Sequence, residues 1–132
     1  MFFEGKIKVK KTDPKGKEKT VSEHYIIENE VLFSHAEFKL VELYNGECEV
    51  THITKSSIRE IINEKVEDHP FFKAVVVDTF TNDDGSEKEM QYPILVCAKD
   101  IQEANKLVEE YLKQGFDMKL KEIKETKILD VI

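Results

Sequence analysis

The sequence predicts an α+β fold made of two ββαβ units that share one core, and three internal matches carry that prediction. "FFEGKIKV" at Phe2 matches "FFKAVVVD" at Phe71 at a shift of 69, and the same shift brings Gly16 onto Gly85, Glu18 onto Glu87 and Lys19 onto Lys88. "KLVELYNG" (Lys39–Gly46) returns as "KLVEEYLKQG" (Lys106–Gly115) at a shift of 67. Cys48, Val50, Ile53, Ile58 and Ile61 have the spacing of Met118, Leu120, Ile123, Ile128 and Val131, at a shift of 70. Agreement spread along the whole chain, in residues too varied for low complexity, marks an internal duplication. The expected repeats are residues 1–62 and 71–132, joined by the polar linker 63–70. A unit of about 65 residues has only a marginal core by itself, so the two are expected to form a single domain over 1–132. The expected body has antiparallel sheets packed with two helices about a pseudo-twofold axis.

In the first strand Phe3, Gly5, Ile7 and Val9 alternate with Glu4, Lys6, Lys8 and Lys10, the period of a half-buried strand. "DPKG" and "NDDG" are turn sequences in which Gly is free to take positive φ. The returning strands place Val21, Tyr25 and Ile27, then Met90, Tyr92, Ile94 and Val96, on one face. Pro93 has no amide proton to donate and belongs at an edge or a bulge. Ser34-x-x-Glu37 and Asp100-x-x-Glu103 have capping-box form. The helices that follow put Leu40, Val41 and Tyr44, and Leu107, Val108 and Tyr111, on a core-facing stripe, and Gly46 and Gly115 are the expected stops. In the closing strands the apolar phase slips between Val50 and Ile53 and between Leu120 and Ile123, so a β-bulge is expected at the same point of each repeat.

Composition narrows the function classes. With 40% hydrophobic and 36% charged residues the chain can fold, and its apolar runs fall far short of the roughly 20 residues a membrane span needs. The start, "MFFEGKIKVKK", enters a strand pattern without a secretory leader's apolar stretch, so a cytoplasmic protein without membrane partners is expected. Cys48 and Cys97 form no CxxC and read as reduced thiols. His24, His35, His52 and His69 fall in four different elements without metal-ligand spacing, so no metal is expected. "TNDDGSEKE" lacks the spacing and closing Glu of a calcium loop. No phosphate-binding glycine loop or nucleophile elbow occurs, so neither an enzyme nor a cofactor is expected.

What remains is charge. The net charge is −7, which argues against coating duplex DNA by charge alone, yet residues 1–19 carry seven lysines against three acidic residues. Lys6, Lys8 and Lys10 share one face of the first strand, while the counterparts of Lys6 and Lys8 in the second repeat are Val75 and Val77. Lysines on an edge strand also guard against aggregation, so the row has a structural use besides phosphate contact.

"FFEGKIKVKKTDPKGKEKTVSEHYI", "SHAEFKL" and the close "KETKILDVI" together resemble a domain-of-unknown-function family of small proteins from Bacteroidetes and their phages. That family opens on Trp-Phe-Glu where this chain has Phe2, Phe3 and Glu4. The resemblance implies a small cytoplasmic or phage-encoded protein and assigns no site residue. The leading expectation is a non-enzymatic accessory protein that binds nucleic acid, single strands before duplex. In it Lys6, Lys8, Lys10, Lys17 and Lys19 meet phosphates, and Phe2 or Phe71 stacks a base. The alternative is an adaptor or inhibitor acting on a host or phage protein through the acidic second half. There Val75 and Val77 form the interface, which would equally serve a homodimer.

Overall fold

A computed structural model of the chain describes residues 1–115 and 117–132. In chain order its elements are β1 (Phe3–Thr12), β2 (Glu18–Ile27), α1 (Phe33–Glu42), β3 (Glu49–Lys55), β4 (Glu60–Ile61), β5 (Phe71–Thr81), β6 (Glu87–Cys97), α2 (Ile101–Leu112), β7 (Met118–Glu125) and β8 (Ile128–Val131). The chain divides into two units. The first is Met1–Ser56 with Lys127–Ile132, and the second is Ser57–Thr126.

In the first unit β1 and β2 form an antiparallel hairpin running from Phe3 opposite Ile27 to Thr12 opposite Glu18. The turn follows from "DPKG": Asp13 accepts from the amides of Lys15 and Lys17 at 2.9 Å, and Gly16 takes φ +81°. The alternation expected of β1 is observed, with Phe3, Gly5, Ile7 and Val9 buried and Lys6, Lys8 and Lys10 exposed. Phe3, Ile7, Tyr25 and Ile27 pack with Ala36 and Leu40 of α1 into one core cluster. The second unit repeats this arrangement. Phe72, Ala74, Val76, Tyr92, Ile94 and Val96 pack with Ala104 and Val108 of α2. "NDDG" forms the matching hairpin turn, with Gly85 at φ +86°.

Both expected bulges are present. Between Lys6 opposite His52 and Ile7 opposite Val50, Thr51 is the extra residue. Between Val75 opposite Glu122 and Val76 opposite Leu120, Lys121 is. The extra residue restores the inward phase of the closing strand. Pro93 lies within β6, one residue before the stretch that β4 pairs, and its carbonyl accepts from the Arg59 amide at 2.9 Å.

The helix starts differ from each other. Asp100 caps α2 by accepting from the Glu103 amide at 2.8 Å, as its capping box predicts. Ser34 does not cap α1; the helix begins two residues earlier than that cap implies, at Phe33 behind Leu32, with no side-chain cap. Packing decides that start, because the Phe33 ring meets Phe3 edge-to-face at 5.0 Å. Gly46 takes φ +87° after α1 and its amide reaches the Val41 carbonyl, a left-handed stop that Gly115 does not share.

The sheets are mixed, not purely antiparallel. Their orders are β3-β1-β2-β8 and β4-β6-β5-β7, and the short strands β8 and β4 run parallel to β2 and β6. A parallel neighbour cannot follow by a tight hairpin and needs a long connection. Here the connection is supplied by exchange. The strand that closes the first repeat, β4, pairs in the second sheet, and the strand that closes the chain, β8, pairs in the first.

Candidate nucleic-acid interface

The outer face of the first sheet, opposite α1, is built around Lys6. Its cross-strand neighbour on β2 is His24 and on β3 is His52, so three nitrogen-bearing side chains stand in a row across the sheet. Lys8, the next outward residue of β1, lies between Ser22 and Glu49. Lys6, Lys8, Ser22, His24, His52 and Lys127 line a shallow groove of about 360 Å³. Among the described residues, Lys6, Lys8 and Lys10 have no ion pair and stand in solvent.

Local structure fixes the two imidazoles differently. Thr51, the bulged residue, donates its hydroxyl proton to the Lys6 carbonyl at 3.2 Å. Its oxygen is then the acceptor for Nδ1–H of His52, also at 3.2 Å, which leaves His52 Nε2 for another partner. His24 is more enclosed: among the described residues its Nε2 is buried without a hydrogen-bond partner, and Glu4 Oε1 lies 3.8 Å away. Burial holds the His24 pKa below its ordinary value, with Glu4 opposing and the Lys6 charge adding to the depression.

The five lysines expected on phosphates do not share one surface. Register puts Lys19 opposite Lys11, on the helix side, with its ammonium 3.9 Å from Asp13; Lys17 sits in the turn. The stacking residues separate too. Phe2 is half-buried, whereas Phe71 is 1% exposed and presents no ring face to a base. Val75 and Val77 are half-buried rather than open. Where the first sheet has His52–Lys6–His24, the second has Glu122–Val75–Pro93, so the basic row exists in one repeat only.

Sequence reasoning missed His24, His52 and Lys127 as members of this face. For His24 a signal was available: counting back from the "DPKG" turn pairs it with Lys6. For His52 the bulge shifts the register, and Lys127 arrives only through β8.

A family model matches the whole chain, residues 1–132, under the description "Domain of unknown function (DUF4494)". The chain belongs to the DUF4494 family. No curated protein and no solved structure matches it. Among the described residues of this DUF4494 chain, no helix is long and apolar enough to cross a membrane, and no group of three or more His, Cys, Asp or Glu is placed to hold a metal ion.

Proposed function

We propose that this protein binds single-stranded nucleic acid along the outer face of β1. The observation that carries this reading is the row Lys6, Lys8 and Lys10, exposed and without ion pairs among the described residues, on a repeat whose partner has valine in the first two places. Alternate residues of a strand stand roughly 6.8 Å apart, a spacing suited to tracking a backbone. Phe2, in phase with these lysines on β1, is the aromatic placed to add a stacked base. The wider setting, a non-enzymatic accessory role of the phage-encoded type in the cytoplasm, rests on the family resemblance.

Fluorescence polarisation of a labelled single-stranded oligonucleotide tests the reading. Three phosphate contacts predict a log–log salt slope of about −2, or a loss of about twentyfold in affinity for a fourfold rise in salt. Replacing Lys6, Lys8 and Lys10 together by Gln brings the slope close to zero. Absence of binding at low salt overturns the proposal. A second reading, a protein-binding adaptor or inhibitor, is favoured by the exposed Val31, Leu32, Phe33 and Phe38 around α1. That function leaves the oligonucleotide unbound and survives the lysine replacements.

A further inference from the structure

We propose that the groove around His24 and His52 holds a phosphomonoester, the terminal phosphate of a nucleic-acid strand. This rests on the nucleic-acid reading above and names which part of the strand the groove takes.

Lys6, Lys8 and Lys10 run along β1 as a track, but His52, Lys6 and His24 run across it. Neighbouring strands are about 4.8 Å apart, so these three side chains converge where a track would spread. Lys127 and Lys8 line the same groove, and the Ser22 hydroxyl adds a neutral donor. An internal phosphodiester carries one charge and is satisfied by one or two cations. A terminal phosphate carries a charge of roughly −1.5 to −2 at neutral pH and three strong acceptor oxygens, which matches a convergent set of donors.

The buried Nε2 of His24, without a hydrogen-bond partner among the described residues, is the second observation. An orphaned buried polar atom is uncommon and points to a group that the protein alone does not supply. Two carboxylates bear on the face, Glu4 at 3.8 Å from His24 and Glu49 opposite Lys8. The Glu23 carboxylate is held by Tyr25, Tyr44 and Lys11 and is not free to compete. The second repeat lacks the whole arrangement: Glu122, Val75 and Pro93 occupy the row, and Glu122 would repel a phosphate.

The test compares three labelled single-stranded oligonucleotides of one sequence, bearing a 5′-phosphate, a 3′-phosphate or hydroxyls at both ends. One phosphorylated end is expected to tighten binding about tenfold over the hydroxyl form. The double substitution His24→Gln/His52→Gln removes that preference, so that the phosphorylated and hydroxyl oligonucleotides bind alike. Lys127→Gln, at an exposed position, weakens the preference without touching the sheet pairing. Equal affinity for all three oligonucleotides, or a preference that survives the histidine substitutions, overturns this inference while leaving the parent reading standing. No binding of any oligonucleotide overturns both.

Discussion

Glu23 lies in phase with Val21, Tyr25 and Ile27 on β2, so its carboxylate points to the helix side of the first sheet, where the residue is 5% exposed. A carboxylate there must be fully bonded, because an unpaired buried charge is costly. Tyr25 and Tyr44 donate their hydroxyls to Oε1 at 2.9 and 2.6 Å, and Lys11 donates to Oε2 at 2.9 Å. Burial pushes the Glu23 pKa up, but the bonds from Tyr44, Lys11 and Tyr25 outweigh it and leave the value below that of an ordinary carboxylate. The second repeat has Tyr92 at this place, under the Arg59 guanidinium at 4.4 Å.

A folded-state pKa below the unfolded one gives stability that is complete above the ordinary carboxylate pKa and is lost as pH falls through the folded value. Urea unfolding of the native chain should therefore weaken below about pH 4.5 more steeply than that of Glu23→Gln. At pH 7 the substitution should cost about 1.5–3 kcal/mol, the range for bonds to a charged group. Parallel pH profiles for the two proteins would refute the role. At this scale the sequence already showed Glu23 to be inward by parity. It did not show that Lys11 and Tyr44 reach it, because one is twelve residues away and the other twenty-one.

At the scale of elements, the repeated helix phrase and the repeated core are out of step. "KLVELY" and "KLVEEY" align at a shift of 67, but the fully buried helix residues are Ala36 and Leu40 in one copy and Ala104 and Val108 in the other, a shift of 68. What faces each helix explains the difference. Gly5 leaves room for Leu40: a Cβ there would lie 2.5 Å from one Leu40 methyl and 3.0 Å from the other. The equivalent strand residue, Ala74, already has that carbon, and its core cluster contains the smaller Val108. The rotation of each helix is thus set by the strand beneath it, not by its own wording.

Gly5→Ala should destabilise the chain by about 1–3 kcal/mol, the usual cost of overpacking, because the added carbon would press on the fully buried Leu40 and Ile27 side chains. Leu40→Val combined with it should recover stability relative to the sum of the single changes, by about 0.5 kcal/mol or more. A double-mutant cycle by chemical denaturation measures this, and strict additivity would exclude the pairing. Strand faces and both bulges were readable because a period of two admits only one inward set. The α1 start was not, since Ser34 satisfied a capping rule that the Phe33–Phe3 contact overrode.

For the whole molecule the deciding feature is the exchange of closing strands. Ile128 is 6% exposed beside β2, and Ile132 and Ile26 bond through their backbones at 2.8 Å. A chain ending at Thr126 loses this cover. Its β2 amides from His24 to Ile27 should exchange with solvent at least about tenfold faster, since burying one isoleucine is worth about 1.5–3 kcal/mol. The β6 amides, whose edge β4 still covers, should change less. Hydrogen exchange followed residue by residue distinguishes this from a uniform loss, which would contradict it. The same truncation removes Lys127 from the groove, so the order of strands and the composition of the site are one question.

The sequence by itself determined the duplication, the order of elements in each copy, the inward and outward faces of the strands, the bulges and the exposed lysine row. All of these are properties of local period and turn chemistry, which a chain writes residue by residue. Only the tertiary structure decided that β4 and β8 change sheets, that His52 stands on the other side of Lys6 from His24 while Lys127 joins their groove, and that Phe71 is buried. Those depend on which distant segments pair. Backbone hydrogen bonding is blind to side-chain identity, so a short strand such as "EI" or "ILDV" has no local signal naming its partner.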